Sequence, residues 1–222
     1  SIKPDGEIDW QVAKRLQVRG SYDSSIQIRS EHKDHRCSHI RLDGNPVKFI
    51  QGHNVWGTQD LLGLIVSCLW NILPQVLPPE EVKPFDYLWV TARCGKLTRL
   101  DLTNMYDLGN SQRALAWLRS ASDSANLKHR GKGQFSGDTL YWGKGSRRWT
   151  LKMYCKGLEL LAHKPKYVCP DHPQYLESVT NFADKALRVE LVLRGMELVK
   201  LGLSSVQDWN VAKFDEVYTS YL

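Results

Sequence analysis

Apolar and polar side chains alternate most clearly in three stretches of the chain. In the first, Trp149, Leu151, Met153 and Cys155 fall on one side. Arg148, Thr150, Lys152, Tyr154 and Lys156 fall on the other, up to where a strand would turn helical. Period-two alternation predicts a half-buried strand with one apolar face. In the second, Leu97, Arg99, Asp101 and Thr103 share one face and Thr98, Leu100 and Leu102 the other. In the third, Arg188, Glu190, Val192 and Arg194 oppose Leu187, Val189, Leu191 and Leu193. Shorter strands are expected at Gln17–Arg19, Ser24–Arg29, Ser38–Leu42, Val47–Ile50 and Tyr87–Ala92. Thr139–Trp142 and the turn at Gly143–Gly145 should form a hairpin with the tyrosine stretch.

Helices are expected from Thr58 and Asp60 to about Leu73, where Pro74 should stop the run. Others are expected at Ser111–Arg119 (capped by Asn110 or Ser111), Met196–Leu203 and Val206–Tyr221. Glu31–His39 reads as a polar loop. Ser120–Gly137 reads as a basic, flexible loop, and Ala162–Asn181 as a loop with a short helix after Pro173.

The 222 residues suffice for one large domain or two small ones, and the 42% hydrophobic share suffices for a core. The net charge of +6 suits a nucleic-acid partner without establishing one. The five cysteines are widely spaced and odd in number, so they read as free thiols in a reducing cytosol. Cys169-Pro-Asp-His172 lacks a second pair with zinc-ligand spacing, and His32, His35 and His39 lie in an expected loop; both are weak as metal sites. The apolar run Leu61–Leu73 is too short to span a bilayer, and no signal peptide is visible.

The chemistry gathers on the patterned stretches. Tyr154 lies between Lys152 and Lys156, and cations beside a phenol favour its phenolate and attract phosphate. An ordinary exposed strand face explains the same pattern. Asp101 and Glu190 each sit mid-strand, two places after Arg99 and Arg188. Buried carboxylates need compensation, either from those arginines or from a shared divalent cation. Gly52 and Gly57 bracket a tight loop presenting His53 and Asn54, with His53 either a third ligand or a hydrogen-bonding group. Glu159 is a base, a ligand or a solvated side chain. Lys128, Arg130 and Lys132 form a basic cluster suited to phosphates, with Arg148, Lys152, Arg99 and Arg188 as further DNA-binding candidates.

Several blocks resemble, in order, the replication initiation proteins of filamentous phages, the gene II/gene X family. More distantly, the chain is similar to the rolling-circle initiators of small staphylococcal-type plasmids. The blocks are Asn45-Pro-Val-Lys-Phe-Ile-Gln-Gly-His-Asn-Val-Trp-Gly-Thr58, Leu97-Thr-Arg-Leu-Asp-Leu-Thr103, Tyr141-Trp-Gly143, Leu151-Lys-Met-Tyr-Cys-Lys156 with Glu159, and Leu187-Arg-Val-Glu-Leu-Val-Leu-Arg194. The resemblance implies an α+β HUH-type nickase fold, a central antiparallel sheet flanked by helices, over residues 1–222. It implies Tyr154 as nucleophile in a Tyr-x-Lys-x-x-Glu motif with Lys156 and Glu159, and Asp101 and Glu190 as the acidic strand positions toward a divalent metal, Mg2+ or Mn2+, for which His53 of the glycine loop is the third candidate. No His-hydrophobic-His triplet is present, so the metal site is expected to diverge. The implied activity is nicking and religation of origin DNA in the cytoplasm of a host bacterium, through a 5′-phosphotyrosyl link. Host helicase and polymerase are the implied partners, and the chain is read as a fragment lacking a C-terminal region. The rivals are a water-using two-metal nuclease and a non-catalytic origin-binding module.

Overall fold

The computed structural model describes residues 15–20, 24–33, 36–77, 79–82, 84–128, 130–162 and 173–222. In chain order the elements are β1 (Arg15–Arg19), β2 (Ser25–Lys33), β3 (Arg36–Asp43), α1 (Pro46–Gln51), α2 (Leu61–Val76), α3 (Phe85–Arg93), β4 (Arg99–Asp107) and α4 (Ser111–Ser124). There follow β5 (Asn126–Leu127), β6 (Gly131–Lys132), β7 (Gln134–Ser136), β8 (Thr139–Trp142), β9 (Trp149–Cys155), α5 (Lys156–Ala162), α6 (Pro173–Lys185), β10 (Ala186–Arg194), α7 (Gly195–Lys200) and α8 (Val211–Ser220).

The three patterned stretches are β4, β9 and β10. They lie in one antiparallel sheet of five strands, ordered β4-β10-β9-β8-β7. Their apolar sides share one face. Leu102, Leu140, Trp142, Leu151, Met153 and the leucines of β10 pack there on Leu118 of α4, Leu198 of α7, and Phe214 and Val217 of α8. This is the main core, and helices cover it because a sheet face of this size must be removed from water. Residues opposed in the register share a face, so the remaining side chains of β4, β10, β9 and β8 form a second, polar face. The fold is α+β with a central antiparallel sheet flanked by helices, as the sequence implies.

A second sheet, β1-β2-β3, buries Val18, Ile26 and Ile28 against Phe49 of α1 and Cys68 and Ile72 of α2. On its other side α2 packs through Val66 on Leu88 and Ala92 of α3. Two segments read as strands are helical here. Val47–Ile50 belongs to α1, because Asn45 caps it by accepting from Lys48 N at 2.9 Å and Pro46 opens the first turn. Tyr87–Ala92 belongs to α3. Its buried Leu88 and Ala92 are four residues apart, which is helical spacing.

Other boundaries differ too. Within the span read as a polar loop, Glu31–Lys33 belongs to β2 and Arg36–His39 to β3. Asp60, rather than Thr58, caps α2 through Gly63 N at 2.9 Å. The helix passes through Pro74 and ends at Val76, with the missing N–H falling only in its last turn. Ser120–Gly137 is the end of α4 followed by the β5–β6 ribbon and β7. The suggestions at His35, Cys169 and His172 lie outside the described residues. Among those described, Cys68, Cys94 and Cys155 are free thiols, and no helix is long and apolar enough to cross a membrane.

The cap gives a direct test of the helical reading of the 46–51 segment. Asn45→Ala should lower stability by about 1 kcal/mol, measured as a shift in the urea midpoint. A neutral result would mean that this segment is not held as a capped helix.

Candidate active site

The polar face is organised by register. Glu190 of β10 faces Thr103 of β4 and Lys152 of β9, while Arg188 faces Tyr154. The row continues from Lys152 to Tyr141 of β8 and Gln134 of β7. Strand pairing thus brings residues far apart in sequence into side-chain contact.

Glu190 is 4% exposed and stands at the centre. Its Oε1 accepts from Arg188 Nε at 2.6 Å and from the Tyr154 hydroxyl at 2.7 Å. Its Oε2 is ion-paired with Lys152 Nζ. Burial alone would raise the carboxyl, but Arg188 and Lys152 overturn that and hold it down at about 2. Tyr154 behaves differently from the sequence expectation. Burial outweighs Arg188 and, joined by Glu190, pushes the phenol well above its ordinary value. The resting side chain is a neutral phenol that donates to Glu190.

The glycine loop covers this centre. Gly52 ends α1 in the left-handed conformation, φ 82°, where a Cβ would be strained. Gln51 Nε2 then braces the loop by donating to Trp56 O at 2.6 Å. Val55 anchors it among Leu160 of α5 and Val179 and Ala183 of α6. Asn54 links two cations: its carbonyl accepts from Arg188, and its Oδ1 accepts from Lys156 Nζ at 2.8 Å. Lys156 is fully buried and also paired with Glu159; burial lowers its pKa. Tyr154 retains 8% exposure under this cover. The half-exposed strand face expected from the alternation is therefore buried here.

His53 is 2% exposed. Its Nδ1 accepts from Val55 N at 3.3 Å, and its Nε2 lies 2.7 Å from the Tyr175 hydroxyl. Burial, then Lys156, lowers its pKa to about 4. Asp101 receives a bidentate pair from Arg99, at 2.8 and 2.7 Å. Among the described residues no three His, Cys, Asp or Glu side chains are grouped to hold a metal ion. Asp101 and Glu190 do share the polar face on adjoining strands. Each, however, is already paired with cations, Asp101 with Arg99 and Glu190 with Arg188 and Lys152, and both ring nitrogens of His53 are engaged. As arranged, the three residues do not fit a divalent cation.

The DNA-binding candidates divide. Lys152 and Arg188 meet at Glu190, and Arg99 is spent on Asp101. Arg148 is tied to buried Glu197 at 3.2 Å. Arg130 is not a free loop cation: it lies 4.3 Å over the Trp149 ring and donates to Ser146 Oγ at 3.1 Å. Lys128 and Lys132 are exposed. At the β7–β8 edge a cleft of about 300 Å³ is lined by Arg130, Lys132, Gln134, Tyr141, Gly143 and Lys144. Sequence reading missed Gln134, which only strand pairing sets opposite Tyr141, and Lys144, which lies in the turn after β8 with its Nζ 5.5 Å over the Tyr141 ring.

The titrating groups have a measurable signature. His53 and Glu190 are both held below their ordinary values, so each contributes stability at neutral pH that acid removes. Stability should decline as pH falls from 6.5 through about 4, from His53, and again from 4.5 toward about 2, from Glu190. The second step is worth about 3 kcal/mol. Urea midpoints between pH 8 and about 2 would show both steps, and His53→Gln should flatten the upper limb alone.

With this geometry in hand, comparison with known proteins is informative. The family pattern for the N-terminal part of the replication-associated gene II protein matches residues 1–212. The replication-associated gene II protein of Enterobacteria phage I2-2 is 32% identical over 224 residues, covering all of this chain and 64% of the relative. The chain thus spans about two thirds of that curated relative. No solved structure gives a significant match. The motif resemblance is borne out: the chain belongs to the family of the N-terminal part of the phage replication-associated gene II protein.

Proposed function

We propose that this chain carries the strand-cleaving and strand-joining centre of an HUH-type replication initiator, with Tyr154 as nucleophile. One observation carries the reading: the Tyr154 hydroxyl, a carboxylate acceptor and two cations suited to phosphate meet at Glu190. In the resting arrangement the acceptor is a weak base, because Arg188 and Lys152 hold it ionised. An incoming phosphodiester competes for those same cations. As they turn to the phosphate, Glu190 loses their stabilisation and gains basicity. It then takes the proton from Tyr154 as the phenolic oxygen attacks phosphorus.

The P–O bond to the 3′ oxygen breaks, and that oxygen leaves as a hydroxyl after taking a proton. Lys156, whose pKa is lowered by burial, is suited to supply it. The products are a 5′-phosphotyrosyl link and a 3′ hydroxyl, a primer end of the kind a polymerase consumes. The reverse transesterification rejoins the strand, and the phosphodiester energy is conserved throughout. The basic cleft at the β7–β8 edge lies along the same row of side chains as Lys152 and Glu190, which suits it to the strand flanking the scissile phosphate.

Three measurements test this. Tyr154→Phe keeps the ring and removes the hydroxyl, so it should fold and bind DNA yet form no covalent adduct with a single-stranded origin oligonucleotide on denaturing gels. Running the gel with Mg2+, with Mn2+ and with chelator reads any need for a cation. An adduct of normal yield on the Phe variant would move the nucleophile elsewhere. Nicking without any adduct in the wild type would favour the water-using nuclease, and binding without nicking the non-catalytic module.

Glu190→Gln leaves the buried Arg188, and the partly exposed Lys152 beside it, without their counter-charge. It should lose the adduct and cost about 3–5 kcal/mol of stability. Lys132→Ala with Lys144→Ala should reduce the slope of log affinity against log salt for a single strand by about 1.4, leaving adduct formation on tightly bound oligonucleotide intact. An unchanged slope would remove the cleft from the strand's path.

A further inference from the structure

The β1-β2-β3 sheet carries an arrangement that the Tyr154 centre does not use. Its register sets Arg15 opposite Arg29, and Arg29 opposite Arg41. Three arginines therefore stand in one row across three adjacent strands. Strands lie roughly 4.8 Å apart, so the row spans about 10 Å. Like charges directly opposed in a sheet are destabilising. None of the three has a hydrogen-bond or ion-pair partner among the described residues. Arg15 and Arg41 are exposed and Arg29 is partly so.

The register cannot slip to relieve this repulsion. A one-residue shift would expose Val18, Ile26 and Ile28, which are buried on the opposite face against Phe49, Cys68 and Ile72. The same packing that builds the second core thus fixes the arginines outward. Beside the row lie Gln17 and Gln27, opposed to each other, and Arg19, opposed to Ser25. Two acids occupy register positions in the rows next to the arginines, Asp43 two places after Arg41 and opposite Gln27, and Glu31 two places after Arg29 and opposite His39, so with Arg19 the face sets four arginines against two acids.

We propose that this outward face, centred on Arg15, Arg29 and Arg41, binds the phosphate backbone of duplex DNA, separately from the Tyr154 centre. Charge complementarity selects a polyanion. The face offers guanidinium, amide and hydroxyl groups, which contact phosphates and base edges. Among the described residues of this face the only ring is the His39 imidazole, with no Phe, Tyr or Trp to form a platform for successive unpaired bases, and that favours a duplex over a single strand. The inference takes from the proposed function only that DNA is the ligand. It adds a second grip, on paired DNA, to a centre that cuts one strand.

The test compares the whole chain with the triple variant Arg15→Gln, Arg29→Gln, Arg41→Gln. Fluorescence anisotropy would follow a labelled duplex and a single strand of the same sequence between 50 and 200 mM salt, about the range over which phosphate contacts are read. For the duplex, the slope of log affinity against log salt should fall by about 2.7, and affinity should drop about tenfold or more. Single-strand affinity and adduct yield on a single-stranded oligonucleotide should stay unchanged. Removing the repulsion should leave the melting temperature equal or higher. The double variant Arg15→Gln, Arg41→Gln keeps Arg29 as a check on folding, with an expected slope change of about 1.8. An unchanged duplex slope in both variants overturns the proposal, as does an equal loss for duplex and single strand. Failure of adduct formation in the unmutated chain would instead count against the nicking reading and leave this surface standing.

Discussion

A carboxylate buried in the middle of a sheet is the constraint on which this molecule depends. Glu190 is on the strand with neighbours on both sides, β4 and β9, and it could not remain ionised there without compensation. Arg188 supplies part of it from the same strand and Lys152 part from the next. The buried Arg188 needs cover in turn, and the glycine loop provides it through the Asn54 carbonyl. Loop, sheet and the α5–α6 pair are tied together through one charge. Tyr154 is part of that arrangement, since its hydroxyl completes the hydrogen bonding of Glu190.

Such a cluster has two consequences that pull in opposite directions. Satisfied, it is rigid and specifies one arrangement of the strands. Disturbed, it has no cheap intermediate state, because Glu190, Arg188 and Tyr154 are buried with their partners. A phosphodiester is a suitable disturbance, since it offers the cations a replacement anion at the moment the carboxylate must accept a proton. Restraint of the nucleophile and its activation then follow from the same contacts. The exposed Arg99–Asp101 pair stands apart from this coupling and carries less of the sheet's stability.

Much of this was legible in the sequence, for a specific reason. β4, β9 and β10 have apolar residues at every second position, so the strands and both of their faces could be read from alternation. The Arg-x-Asp and Arg-x-Glu spacing already contained the observed pairs, because residues two apart on a strand are neighbours on one face. The failures have physical causes as well. The 46–51 segment has too few apolar positions to show a period, and only the Asn-Pro pair signals its helix. Phe85–Arg93 is short enough that its aromatic residues suggest a strand, and burial at Leu88 and Ala92 decides otherwise. The ionisation of Tyr154 was misjudged because sequence shows the flanking lysines but not the burial or the carboxylate of a strand 36 residues away. The Arg15–Arg29–Arg41 row was invisible for the same reason: it exists only in the pairing of strands.

The junction between β9 and α5 has a last consequence. Cys155 ends the strand and Lys156 begins the helix, with no residue between. Tyr154 and Lys156 are separated by the two-residue period of a strand, and Lys156 and Glu159 by the three-residue reach of a helix turn. The interval Tyr-x-Lys-x-x-Glu is therefore a ruler graduated in two units. Substitutions along it change chemistry one group at a time. An inserted or deleted residue would rotate everything beyond it by about 100°, so lineages carrying this centre can vary its letters far more freely than its length.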